Sequence, residues 1–245
     1  MSKTIIITGA SSGIGATTAR TFLDAGWQVG LIARRQDALK EVAAGHAAAH
    51  VLAADVTDEI ALQARFAEFV KTTGRLDVLF NNAGMLGPGG LIDEIDLKQW
   101  RDTVELNLTG MFLAARFAFG QMRRQQPQGG RIINNGSVSA QAPRPGLAAY
   151  TSTKHGVTGL TKSISLDGRA FDIACGQIDI GNAQTELMRR ANQDALADNP
   201  NAEIPEMMDV SVAADAVMQM ASLPLSANVQ FMTVMATKMP LVGRG

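Results

Sequence analysis

Short apolar runs alternate along the chain with longer stretches whose apolar positions recur at helical spacing. TIIIT (4–8) reads as a buried strand. VGLIA (29–33), HVLAAD (50–55), LDVLFNNAG (76–84, running into a loop), RIINNGS (131–137), DIACGQI (172–178) and VQFMTVM (229–235) predict six more. Between them lie helical patterns. Ile14 to Ala25 puts Ile14, Ala19, Phe22 and Leu23 on one side and is stopped by Gly26. A second helix is expected from about Glu59 to Lys71. Asp96 is placed to N-cap a third that reaches about Gln125. Tyr150 to about Gly168 and residues 211–222 complete the set.

Strands that alternate with helices imply parallel pairing. The expected fold is a single α/β domain over residues 1–245. It is a Rossmann-type, doubly wound, mostly or wholly parallel seven-stranded sheet with helices on both faces. No internal repeat or linker interrupts it. Residues 182–209 are polar and irregular, too long for a passive connection, and read as a substrate lid. In 104–122, Val104, Leu106, Leu108, Met111, Phe112, Leu113, Phe117, Phe119 and Met122 wrap most of the helix circumference. That helix is either sandwiched within one subunit or lies in a subunit interface.

Composition narrows the function more than the fold. Apolar residues are 46% of the chain, and 22 basic against 23 acidic side chains leave a net charge of −1. Such a balance offers no electrostatic footprint for nucleic acid or an anionic membrane. No apolar run approaches the roughly 20 residues that span a bilayer. The opening MSKTIIITGA is too short in its apolar run, and too soon broken by glycine, to read as a signal peptide. Cys175 is the one cysteine, so no internal disulfide can form and a cytoplasmic setting is expected. It reads as a small buried side chain. His46 and His50 have metal-like spacing but no third ligand, so no metal is expected.

Chemistry concentrates in a few motifs. TGASSGIG follows the first strand and opens the first helix. Gly9, Gly13 and Gly15 would let bare backbone, with Ser11, Ser12 and Ile14, approach a phosphate at the helix N-terminus. NNAG (81–84) closes the fourth strand. Asn107 lies mid-way along the long helix. Ser137 follows the fifth strand, and Tyr150, the only tyrosine, precedes Lys154 by one helical turn. A phenol with a pKa near ~10 stays protonated near neutrality and suits a proton donor. A lysine on the same helix face favours the phenolate in the reverse direction, so Tyr150 is expected to ionise below a free tyrosine once oxidised cofactor is bound. Ser137 can donate to a substrate oxygen.

Together these motifs resemble the short-chain dehydrogenase/reductase family, over about Lys3 to Thr185. The resemblance implies a catalytic set of Asn107, Ser137, Tyr150 and Lys154, with Asn107 holding a water that links Lys154 to solvent. It implies a nicotinamide dinucleotide at the C-terminal ends of the strands. Asp55 and Val56 would flank the adenine, and Asn82, Ala83 and Gly84 the adenosine. Tyr150 and Lys154 would reach the nicotinamide ribose. Ala33 occupies the place where an acidic residue would bind the ribose of NAD, and Arg34 and Arg35 follow it. NADP(H) is therefore preferred, with Arg34 as main contact, and NAD(H) is possible. IGNAQT departs from the family's Pro-Gly: Ile180 and Gly181 stand there, with Ala183 and Thr185 left to meet the carboxamide. Loss of the proline loosens a preset φ angle. Homotetramers or homodimers are expected through the 104–122 helix and the one near Tyr150. The activity implied is hydride transfer between NADP(H) and a small carbonyl or alcohol substrate. The rivals are an NAD-dependent alcohol dehydrogenase and a dinucleotide-binding sensor without turnover, which would need no proton donor. SAQAPRPG (139–146), with Leu187, Met188, Met207 and Met208, suits a medium-sized, partly apolar substrate.

Overall fold

A computed structural model describes residues 2–202, 204 and 206–241. The strands are β1 (Thr4–Thr8), β2 (Gln28–Ala33), β3 (Ala49–Ala53), β4 (Val78–Asn81), β5 (Gly130–Asn135), β6 (Ile173–Ile180) and β7 (Phe231–Val234). They form one sheet in the order β3-β2-β1-β4-β5-β6-β7, and every pairing is parallel. The helices are α1 (Gly13–Asp24), α2 (Gln36–Ala43), α3 (Glu59–Thr73), α4 (Leu97–Val104), α5 (Gly110–Arg124), α6 (Ala148–Gly168), α7 (Glu186–Asp198) and α8 (Val210–Ser222). Among the described residues no helix is long and apolar enough to cross a membrane.

The sheet is covered on both faces, and the alternation of β1 shows how. Ile5 and Ile7 point into the core shared with Phe22 of α1 and Val217 of α8. Ile6 points the other way, towards Phe66 and Phe69 of α3 and Ala114 and Ala118 of α5. All three isoleucines are fully buried, which is why this strand is apolar throughout. In β6, Ile178 and Ile180 join the first core while Cys175 joins the second. By the same two-residue period, Gln177 and Asp179 lie in the row of Cys175. Strand order reverses between β1 and β4, and a crevice opens at the carboxyl ends of the strands there.

Arg131, at the start of β5, is only 1% exposed. Its guanidinium donates to the carbonyls of Leu223, Pro224 and Ala227 and to Asn228 Oδ1. It fills the C-terminal end of α8, where helix carbonyls lack partners and a cation is favoured. The link into β7 is pinned in this way.

Three elements differ from expectation. α2 was not foreseen, because its apolar face amounts to Leu39, Val42 and Ala43 on two turns. Residues 182–209 are not irregular throughout. Thr185 caps the N-terminus of α7 by accepting from Met188 N. The long helix starts on Asp96, whose side chain accepts from Gln99 N, but a π turn over Glu105–Thr109 interrupts it. Its apolar wrap is buried only in part. Met111, Leu113 and Met122 are buried, whereas Phe112 is 48% exposed.

Candidate active site

The loops leaving β1 to β6 open into one cleft of about 610 Å³. Gly9, Ser11, Ser12, Gly13 and Ile14 line it at one end, with Arg34, Arg35, Asp55 and Val56 beside them. Asn82, Ala83 and Gly84 form its waist, and Ser137, Tyr150, Lys154, Gly181, Ala183 and Thr185 its far end. Two expected residues are off the wall. Gly15 lies behind the loop, where a β-carbon would collide with the Gly9 carbonyl and come within 2.7 Å of Asn82 Nδ2. It lets α1 start tight beneath the loop. Asn107 is fully buried in the π turn.

The glycine-loop end is built for an anion. Gly9 has φ of 67°, and a β-carbon there would stand 2.9 Å from Ala83 Cα, so angle and space both demand glycine. Ser12 makes no side-chain cap to α1, and the first turn carries no acidic residue. Unpaired amides and the positive end of the helix dipole are thus presented to the cleft. Asn82 braces this region: Nδ2 donates to Thr8 O at 2.9 Å, and Oδ1 accepts from Asn135 Nδ2 at 2.9 Å. The side chain of Arg34 is 77% exposed, with Nη1 4.0 Å from Asp55 Oδ2. Thr57 holds Asp55 through N and Oγ1, at 3.0 and 2.8 Å.

At the far end, α6 sets Tyr150 and Lys154 on one face. Lys154 Nζ donates to Asn135 O at 2.8 Å and lies 5.5 Å from the centroid of the Tyr150 ring. The Tyr150 hydroxyl faces Ser137, which favours its phenolate form, and Ser137 Oγ accepts from Ser139 N at 3.1 Å. Asn107 supports the set from behind. Its Oδ1 accepts from Met85 N and its Nδ2 donates to Met85 O, both at 2.8 Å. Nδ2 also reaches Thr153 Oγ1 at 3.3 Å.

In the chain alone the tyrosine is not poised to ionise early. The Tyr150 ring is partly open to the cleft, yet burial of the hydroxyl pushes its pKa above 10.0. Ser137 and the Arg144 charge pull it down, and Asp179 raises it further. The early ionisation expected of Tyr150 belongs to the complex with oxidised cofactor, where a positive nicotinamide ring joins Lys154; in the chain alone desolvation is the largest influence.

The match to a family model decides the relationship: residues 3–196 fit short chain dehydrogenase. The chain is a short-chain dehydrogenase. It is an oxidoreductase that moves hydride between a nicotinamide cofactor and a carbonyl or alcohol. A 2-(R)-hydroxypropyl-CoM dehydrogenase of Xanthobacter autotrophicus is 35% identical over 90% of this chain and 92% of its own. A 3-ketoacyl-(acyl-carrier-protein) reductase of Brucella melitensis, solved with NADH, superposes with a TM-score of 0.86 at 25% identity, covering 96% of this chain and 98% of that one. An actinorhodin polyketide ketoreductase variant, solved with NADPH, gives 0.86 at 28% identity, with 95% of each chain covered. Both forms of the cofactor thus occur among the relatives of this dehydrogenase.

The residues present fit a dinucleotide. The uncapped α1 terminus and the side-chain-free Gly9 suit a pyrophosphate. Asn135, 9% exposed beside the cleft, leaves Oδ1 buried without a partner, a spare acceptor behind the cleft wall.

Some wall residues carried no motif. Asn135, Met85 and Leu86 line the cleft but sit in apolar or loop runs that mark no chemistry. Arg144 and Met188 line it as expected, whereas Met208 packs into the core and pairs with Ala183. Met207 Sδ accepts from Asn192 Nδ2, and the Leu187 side chain lies outside the described residues. His50 pairs with Gln28 at 2.8 Å. Burial pushes the Cys175 thiol up, so it stays protonated.

Lys154 carries a cost to stability. It is 4% exposed, and burial lowers its pKa from 10.5 to about 8, with Asp179 opposing. Between those values the unfolded chain binds more protons than the folded one, so this group makes stability rise with pH across that window. Below it the penalty is complete, at most roughly 3 kcal/mol. Lys154→Met should therefore raise the urea midpoint at pH 7, and the gain should shrink as the pH climbs towards 10.5. An equal gain at every pH would show that the ammonium costs nothing.

Proposed function

We propose that this dehydrogenase is an NADP(H)-dependent carbonyl reductase, working in reverse as an alcohol dehydrogenase, on a medium-sized, partly apolar substrate. The observation that carries the reading is the Ser137–Tyr150 hydroxyl pair above buried Lys154 at the end of a dinucleotide-shaped cleft. The bound nicotinamide supplies or accepts the hydride. The chain supplies the rest. A carbonyl oxygen lodged between the two hydroxyls accepts a hydrogen bond from Ser137 and the proton of Tyr150 as negative charge develops. The Lys154 ammonium faces the resulting phenolate, and Asn107 stiffens the π turn behind it. The neutral phenol of the unliganded chain is the form that reduction requires. A sensor would need none of this. Arg34 at the cleft mouth, with Ala33 in place of an acid, supports the choice of NADP(H). Ketones, aldehydes and alcohols assayed with both cofactors test the reading. NADPH-driven reduction of at least one ketone or aldehyde is expected. Turnover with NADH alone would favour the NAD-dependent reading, and turnover with neither would remove both.

Thr185, Met188 and Arg190, near the start of residues 182–209, line the cleft, which supports reading that stretch as its cover. We assign this stretch the role of lid, within a single domain. The assembly is proposed to be a homodimer or homotetramer in the cytoplasm. A groove of about 450 Å³ runs between α5 and α6, lined by Phe112, Phe117, Phe119, Leu160 and Ile164. Phe112 and Leu166 stand 48% and 61% exposed, more apolar surface than a monomer needs. Light scattering at micromolar concentration should give a multiple of the chain mass, and Phe112→Glu should halve it or reduce it to one chain. A monomeric wild type would refute the assembly.

A further inference from the structure

Asp179 is a buried carboxylate that none of the roles above uses. It sits near the end of β6 and is 2% exposed. No cation lies within ion-pair distance of it among the described residues. Instead it is held by neutral donors. Oδ1 accepts from Ser137 N at 3.0 Å and from Gln177 Nε2 at 2.7 Å, and Oδ2 accepts from Gln141 Nε2 at 2.8 Å. Gln141 also donates to Thr233 Oγ1 on β7. The fit is close, since a β-carbon on Gly136 would collide with Asp179 Oδ1.

The carboxylate ends a buried polar row beneath α6. Asn81 Nδ2 donates to Asn134 Oδ1, and Asn134 Nδ2 donates to Thr161 Oγ1. Thr161 Oγ1 lies 3.3 Å from Gln177 Oε1, and Gln177 reaches Asp179. An apolar core would be cheaper than such a row unless its members were all satisfied. Its one formal charge stands at the end that faces the reaction.

We propose that Asp179 is a positioning residue for the reaction, locking the Ser137 turn in place and supplying the fixed negative charge against which the Tyr150–Lys154 pair works. This rests on the assignment of Tyr150 as proton donor. The titratable groups that feel its charge are Tyr150 and Lys154, both from α6, and Arg144, from the loop before α6, acts on Tyr150 in the opposite sense. The β5 turn presents Gly136 and Ser137, and β7 presents Thr233, none of which titrates near neutrality. The charge favours the ammonium of Lys154 and disfavours the phenolate of Tyr150. Both effects keep the pair protonated to higher pH.

The test compares wild type with Asp179→Asn, which keeps the shape and removes the charge. The alkaline limb of kcat/KM for NADPH-driven reduction should move to lower pH by about one unit or more. The phenolate absorbance of the only tyrosine should rise at correspondingly lower pH, and this readout needs no turnover. Asp179→Ser, smaller and equally uncharged, should titrate like the Asn variant and serves if the amide does not fit. Asp179→Ala, which also frees the Ser137 turn, should lower kcat further than Asp179→Asn at the pH optimum. An unmoved limb and an unmoved phenolate onset in a folded, uncharged variant would overturn the proposal. Failure of wild type to reduce any carbonyl would instead sink the proton-donor reading, while the phenolate comparison would still report on the charge.

Discussion

Replacing Tyr150 by Phe is expected to lower turnover at least about 10²-fold, the lower end of what a positioned acid or base contributes. The ring and its packing stay, so the fold and cofactor binding should survive. Only the hydroxyl that faces Ser137 is lost. Reduction then has no group to hand a proton to the nascent alkoxide, because Lys154 points to Asn135 O and Ser137 can donate only by forming an unfavourable alkoxide of its own. The loss should fall on kcat, since the proton moves in the transition state. Circular dichroism would establish that the variant is folded, and stopped assays in both directions would measure the loss. A Tyr150→Phe enzyme within a fewfold of wild type would mean that another group carries the proton.

Removing the Arg34 side chain should separate the two cofactors. Arg34→Ala is expected to raise KM for NADPH about 10- to 100-fold, the range of one or two charge-assisted hydrogen bonds. KM for NADH should change by less than about threefold, since NADH has no 2′-phosphate for the guanidinium to hold. The unliganded pose supports a free choice of partner. At 4.0 Å and 77% exposure, the contact with Asp55 is a weak surface pair, so swinging towards a phosphate costs little. Equal weakening of both cofactors would assign Arg34 to the common adenosine, and a wild type that prefers NADH would reverse the cofactor assignment.

The outline of the fold was readable because its strands are apolar runs and its helices carry clear stripes. Parallel pairing followed from their alternation, and the glycine loop and the Tyr150–Lys154 spacing marked the cleft. What escaped has particular causes. α2 buries too few residues to show a stripe. The described side chains of α7 are mostly exposed, so a polar stretch hid a capped helix. Asn107 and Gly15 belong to recognisable motifs, but their spacing does not say whether a side chain faces the cleft or braces it. Asp179 shares its row of β6 with Gln177, and neither polar residue carries a mark until its neighbours across the sheet are known.

The π turn at Glu105–Thr109 has a consequence for how this helix can change in descent. A π turn accommodates one residue more than an α turn would, and so resembles a single-residue insertion absorbed without breaking the rod. Deleting one residue there would restore regular α hydrogen bonding and give a locally more stable helix. It would also rotate α4 against α5 by roughly 100°. Asn107 would turn away from Met85, and the loop that carries Gly84 would lose its tether. The shorter chain would be the better helix and the poorer enzyme, so selection for function would hold the extra residue in place against the pull of local stability.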